Sequence, residues 1–268
     1  MRTLLTGLVF GESARWHDGR MWLCDWGTGE VLTVERDGNR RVVTRVSSYP
    51  LCIDWLPDGR LLAVAGGDAR VLRLEPDGAV VTHADLSGVS PGPWNEIAVN
   101  SHGTAYVNGG PGLIAAIGRD GGVRQVADEV AFPNGMALSA DGSSLIVAES
   151  HAGCLTAYTI GDDGTLRDRR VWAHVPGSAP DGICIDPGGA IWYADVPNRQ
   201  CVRVREGGEV LQTIHLDRGC FSCALGGADR ATLFMVATQW AGPERMADKS
   251  RTGQLLTARA PAPGAGWP

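Results

Sequence analysis

The chain holds a single lysine, Lys249, in 268 residues. Its other basic residues are scattered arginines, so the clustered basic face that a nucleic-acid partner requires is missing. A formal net charge of −6 and a pI near 5.5 agree with that exclusion. No apolar run approaches the roughly 18 residues needed to span a bilayer, so no membrane partner is expected. The amino terminus has one arginine but neither a long apolar core nor a small-residue cleavage site. A signal peptide is therefore not expected, and the reading is a cytoplasmic protein. No stretch of ten or more residues shows helical spacing with caps, which removes α/β alternation.

Metal-binding pairs of histidine and cysteine are also lacking. The seven cysteines fall mostly inside strand patterns, where a free thiol packs as a small hydrophobe. Cys220-Phe221-Ser222-Cys223 has the C-x-x-C spacing, but no second pair or neighbouring histidine completes a zinc site. Gly88-Val89-Ser90-Pro91-Gly92 spells a nucleophile elbow without the strand and helix it needs, and Pro91 disfavours helical geometry at Ser90. Asn108-Gly109-Gly110-Pro111-Gly112 lacks a phosphate-loop lysine and reads as a turn. The six histidines are scattered; His151, just after a strand pattern, could face the mouth of a pocket but is read first as surface or packing. Trp16, Trp55, Trp172 and Trp192 lie in strand patterns and are read as core.

What is present is a repeat. Units begin near Gly11, Leu51, Trp94, Pro133, Pro180 and Phe221, spaced by roughly 40 to 47 residues, a period of stacked supersecondary units. In the first unit, strand patterns over 20–26, 30–35 and 40–46 are separated by Gly27-Thr28-Gly29 and Asp37-Gly38. The second unit repeats this with Pro57-Asp58-Gly59, Leu61–Ala65, 71–74 and Asp77-Gly78. Thirty-seven glycines fit many tight turns, because 44% of residues are still hydrophobic. Six four-stranded units predict an all-β, six-bladed β-propeller. The last unit offers only three clear runs, at 223–226, Thr232–Thr238 and 254–259, while residues 3–8 form a strand pattern without a partner. The N-terminal strand is therefore expected to join the last blade and close the ring. Residues 1–268 read as one domain, with 260–268 as a loose tail.

Four phrases recur in register: Gly11-Glu12-Ser13, Trp94-Asn95-Glu96, Pro133-Asn134-Gly135 and Pro180-Asp181-Gly182. Asn95, Asn134 and Asp181 each stand eight residues before a turn glycine, and Glu12 stands seven before Gly19. Inner strands of different blades approach one another around a propeller axis, so these four side chains are expected to meet. Two carboxylates and two amides suit a hard divalent cation. Calcium fits best; magnesium, manganese, zinc and iron(II) remain open. Asn-Gly and Asp-Gly are also ordinary turn dipeptides, but a shared register argues against that reading here.

These phrases, with Trp16, Met136, Ile183-Cys184-Ile185-Asp186, Cys223-Ala224-Leu225-Gly226-Gly227 and Thr252-Gly253-Gln254-Leu255, resemble the SMP-30/gluconolactonase (regucalcin-like) family along essentially the whole chain. The resemblance implies a divalent metal held by Glu12, Asn134 and Asp181, a substrate contact at Asn95, and lactone hydrolysis. It also implies Asp181 as the residue that assists water. Sugar-lactone members often carry an arginine shortly before the asparagine; here the phrase is Pro93-Trp94-Asn95-Glu96. Trp94 is accordingly expected to form an apolar wall that favours a less polar small-molecule lactone or ester. Two alternatives stay open: phosphotriester or other carbonyl chemistry at the same site, and a non-catalytic metal-binding propeller. The oligomeric state is not legible.

Overall fold

The computed structural model describes residues 1–242 and 250–266. Among them the strands form six antiparallel four-stranded sheets, the six blades of a propeller. Blade 1 runs through Gly11–His17, Arg20–Asp25, Glu30–Val34 and Arg40–Arg45, and blades 2 to 5 repeat that meander. Their innermost strands are Leu51–Trp55, Trp94–Val99, Pro133–Leu138 and Pro180–Ile185. Blade 6 comprises Gly219–Gly226, Thr232–Thr238, Gly253–Arg259 and, at its outer edge, Arg2–Leu8. Leu5 faces Leu255 in that last pairing, so the N-terminal strand closes the ring as expected.

Turn chemistry sets the meander. The Asp-Gly dipeptides place glycine at positive φ, as at Gly38 (90°), where a side chain would also meet the Leu4 carbonyl. The aspartates accept backbone N–H groups two residues on, as Asp37 does from Asn39 at 3.0 Å. Burial falls from the axis outward: every residue of Leu51–Trp55 is buried, whereas Arg40–Arg45 has none fully buried.

The core is not one mass. Six apolar clusters each fill the seam between two neighbouring blades, because both faces of every sheet are covered by the next blade. The N-terminal strand belongs to one of them through Leu8, which is fully buried beside Ala14 and Met21 of blade 1. The carboxy-terminal stretch differs from expectation. Residues 260–265 are docked under the ring: Ala260 N–H donates to the Ala231 carbonyl, Gly264 to Arg230 and Ala265 to Ile185. Backbone pairing holds this low-complexity run despite its composition; Trp267 and Pro268 lie outside the described residues. No described helix is long and apolar enough to cross a membrane.

Candidate active site

Each oxygen-bearing phrase opens the inner strand of its blade, and each carries a β-bulge. Pairing is irregular between Glu12 and Arg15, Trp94 and Ile97, Pro133 and Met136, and Pro180 and Ile183. A bulge bends the strand and re-aims the local side chains. Blade 2, which carries none of the four phrases, pairs without interruption from Leu51 to Trp55. The offset of Glu12 by one residue arises in the following turn. His17 pairs directly with Arg20 across Asp18 and Gly19, both at positive φ, a tighter connection than Leu138 to Leu145 in blade 4.

Asn134-Gly135 and Asp181-Gly182 are not turn dipeptides. A Cβ on Gly135 would stand 2.4 Å from the Asp181 carbonyl oxygen, and one on Gly182 would stand 2.7 Å from Ser222 Cα. Glycine follows the oxygen-bearing residue so that the next blade's backbone can approach. Side chains add further links near the axis: Ser13 Oγ accepts from Ile53 N–H, and Ser222 Oγ accepts from Ala14 N–H, both at 2.9 Å.

Glu12, Asn95, Asn134 and Asp181 line one open cavity of about 570 Å³ at the loop end of the inner strands. Asn95 Nδ2 donates to Asn134 Oδ1 at 2.8 Å, and Asn134 Nδ2 donates to Ser150 Oγ at 3.3 Å. Ser150 donates in turn to the Pro180 carbonyl at 2.6 Å, which joins blades 4 and 5 beside the site. Glu12 is buried, with Oε2 accepting from Ser13 N–H at 2.9 Å. Burial, followed by the nearby Asp181 carboxylate, pushes the Glu12 carboxyl well above the usual range. Burial and then Glu96 do the same to Asp181. Arg15, a buried cation close by, is committed elsewhere, donating to Glu96 at 2.8 Å and to the Ile97 carbonyl at 3.0 Å.

Glu12 and Asp181 are thus two buried carboxylates with raised pKa, the first raised in part by the second. The donor set of two carboxylates and two amide groups fits a divalent cation, with Glu12, Asn134 and Asp181 as the residues that would hold it. No cluster of three or more His, Cys, Asp or Glu side chains suited to a metal occurs among the described residues. Any such ion must therefore depend on the amide oxygens as well.

The expected Trp94 wall is absent from this cavity. Trp94 is fully buried in the seam between blades 2 and 3, and its indole N–H donates to the Ser90 carbonyl at 3.1 Å. Successive residues of a strand face opposite sides, so aiming Asn95 at the cavity turns Trp94 away from it. The walls are instead Phe10, Trp26, Tyr49, Phe132, Phe221 and Trp240. Phe10 packs against Phe221 (centroids 4.7 Å) and Trp26 (5.4 Å). His151, read from sequence as surface or packing, lines the cavity and stacks on Phe132 at 4.3 Å. The signal for part of this wall was positional: Phe10, Pro93, Phe132 and Ala179 each stand two residues before a phrase's oxygen residue, and all four line the cavity. Tyr49 and Trp240 lie in connections with no such register.

A family model described as the SMP-30/gluconolactonase/LRE-like region matches residues 10–239. Among curated relatives, a 6-deoxy-6-sulfogluconolactonase of Pseudomonas putida is 29% identical over 148 residues, 53% of this chain. That alignment spans only 51%, about half, of the relative's own length. Pentonolactonase XacC of Haloferax volcanii is 24% identical over 80% of this chain and 83% of its own. Among solved structures, a calcium-binding regucalcin from Agrobacterium tumefaciens superposes with a TM-score of 0.80 at 17% identity, covering 99% of this chain and 94% of that one. That likeness speaks to the fold. The match of the family model across all six blades, on the fold and phrases described above, places this chain in the SMP-30/gluconolactonase/LRE-like family.

Proposed function

We propose that the protein is a divalent-cation-dependent hydrolase that opens the ring of an uncharged, largely apolar lactone. The observation that carries this reading is the placement of Glu12 and Asp181, buried and mutually repelling, on an aromatic-walled cavity with Asn95 and Asn134. The lactonase names of the curated relatives support the reaction class. The calcium-binding description of the regucalcin supports calcium as the first ion to test, ahead of magnesium, manganese, zinc or iron(II).

Glu12, Asn134 and Asp181 would hold the divalent cation, which when bound would supply positive charge for a developing oxyanion and acidify water. Asp181 would accept the proton of the attacking water at its carboxylate; with its pKa lowered by the cation's charge it would be a weak base that relies on proximity. Glu12 contributes charge and holds its place through Ser13 N–H. Asn95, already hydrogen-bonded to Asn134, orients the substrate. The apolar walls determine the substrate class. No lysine or arginine lines the cavity among the described residues, so a polyhydroxylated or anionic lactone finds few charged donors. An alkyl or aryl substituent buries area against the rings, and each buried methylene is worth about 0.8 kcal/mol.

The test is a panel of alkyl lactones, an aryl lactone, glucono-lactone and an aryl phosphotriester, with and without chelator. Chelator-sensitive opening of alkyl and aryl lactones, restored by added cation, is the expected result. Turnover of the phosphotriester alone would move the chemistry to phosphorus. No turnover with any of the five ions would make the protein a binding propeller.

A further inference from the structure

Three blades carry a buried carboxylate at the end of their second strand, and these are the blades that carry Glu12, Asn134 and Asp181. In the ladder Asp25 faces Gly11, Glu149 faces Pro133 and Asp195 faces Pro180, each opposite the residue just before a ligand. All three are nearly inaccessible, at 0%, 2% and 0% exposure. Each accepts a backbone N–H from the loop that leads into its ligand. Asp25 takes Phe10 N–H at 2.9 Å with one oxygen and Val9 N–H at 3.0 Å with the other. Glu149 takes Ala131 N–H at 2.7 Å, and Asp195 takes Ala179 N–H at 3.4 Å.

Further donors reach each of these carboxylates. Gly27 N–H reaches Asp25 at 3.2 Å; Thr156 and Arg169 donate to Glu149; Asn198 and Gln200 donate to Asp195 at 2.8 and 3.0 Å. Blades 2, 3 and 6 have Ala65, Gly109 and Thr238 at the corresponding place. Thr238 Oγ1 is buried there without a partner among the described residues. The carboxylate thus tracks the ligands, not the general construction of a blade.

We propose that Asp25, Glu149 and Asp195 are positioning residues that fix the three ligand loops and thereby set the affinity for the divalent cation. A buried carboxylate holding a backbone N–H makes a charge-assisted hydrogen bond, stronger than a neutral one. The held N–H groups lie two or three residues before Glu12, Asn134 or Asp181, so slack there moves the ligand oxygen directly. Such outer partners of metal ligands typically govern affinity by 10- to 100-fold. The inference rests on Glu12, Asn134 and Asp181 being the ligands.

The experiment is calorimetric titration of chelator-treated full-length protein with Ca²⁺ and Mn²⁺, alongside circular dichroism and apo thermal unfolding. Asp25→Ala, Glu149→Ala and Asp195→Ala should each raise Kd by about tenfold or more. Asp25→Asn, Glu149→Gln and Asp195→Asn keep an acceptor oxygen without the charge and should fall between wild type and alanine. Thr238→Ala, at the same register in a blade without a ligand, should leave Kd unchanged. An alanine variant with wild-type secondary structure and wild-type Kd overturns the proposal. Equal weakening by Thr238→Ala does so as well. Should the alanine variants fail to fold, the amide variants decide, and wild-type Kd in all three is equally fatal. A wild type that binds neither ion removes the ligand assignment itself, and this inference with it.

Discussion

Glu12 and Asp181 are both buried carboxyls raised well above the usual range. Both carboxyls are raised, so in the absence of a cation the folded state holds protons that the unfolded chain would release. Asp54, pushed up to about 7 mainly by burial, acts in the same sense. The stability these three groups contribute to the chelated protein is fully present below the ordinary carboxylate range and is lost as pH rises through the elevated values. Thermal unfolding with chelator should show a lower Tm at pH 8 than at pH 5.5. Saturating cation should raise Tm most at pH 8, because it binds the deprotonated pair and stabilises the native state by mass action. Glu12→Gln and Asp181→Asn should abolish that cation-dependent rise and the chelator-sensitive activity while leaving the fold intact. Near wild-type turnover in both would remove these residues from the site.

The cysteines give the opposite expectation. Burial pushes the Cys24, Cys52, Cys184 and Cys201 thiols well up. Cys223 runs the other way: its burial is outweighed by hydrogen bonding from Cys184 and Cys201, which brings it to about 5. Exposure decides the outcome, since Cys223 is only 1% accessible and packs against the Gly182 and Trp192 carbonyls. Thiol reagent on native protein should leave activity unchanged, and Cys220→Ser and Cys223→Ser should lose some stability but no chemistry. Complete inactivation by the reagent, with both serine variants dead, would contradict this.

At the scale of the strand, period-two alternation divides labour within a single phrase. Asn95 serves the cavity and Trp94 the seam between blades 2 and 3. Trp94→Ala should therefore act on stability, by about 3–5 kcal/mol as for other large buried aromatic truncations, measured by denaturant unfolding. Its ratio of kcat/KM between an alkyl lactone and glucono-lactone should stay at the wild-type value. Phe132→Ala is the converse. Phe132 is 55% exposed, lines the cavity and is held at φ 58°, a conformation uncommon for an aromatic residue. Its loss should cost little stability and shrink the preference for alkyl and aryl lactones several-fold. A specificity change in Trp94→Ala but none in Phe132→Ala would reverse these assignments.

The whole ring depends on one strand borrowed from the far end of the chain. Arg2–Leu8 pairs along Gly253–Arg259, and Leu8 is fully buried beside blade 1. Deleting residues 1–8 would bare a sheet edge and one inter-blade seam together. The truncated chain should aggregate or unfold at a much lower temperature than wild type, read by circular dichroism and light scattering. A truncated protein with wild-type Tm would show that closure at this seam contributes nothing.

Fold class was legible from the chain alone because a propeller is local: turn dipeptides and short apolar runs recur, and each blade is a meander of neighbours in sequence. The candidate ligands were legible for the same reason, since one position in a repeated unit returns to one place around the axis. Other features were not written in any repeat. Sequence adjacency to Asn95 suggests a cavity position for Trp94, but it says nothing about which strand face a residue takes once a bulge has re-aimed it. The tail was expected to be loose because its docking rests on backbone hydrogen bonds to distant turns, to which composition is blind. Asp25, Glu149 and Asp195 looked like strand-end carboxylates among many. Only the ladder, by setting each against the residue that precedes Glu12, Asn134 or Asp181, distinguishes them. The chain determined the units and the residues they repeat; ring closure decided which side chains share the cavity, because that depends on contacts between blades far apart in sequence.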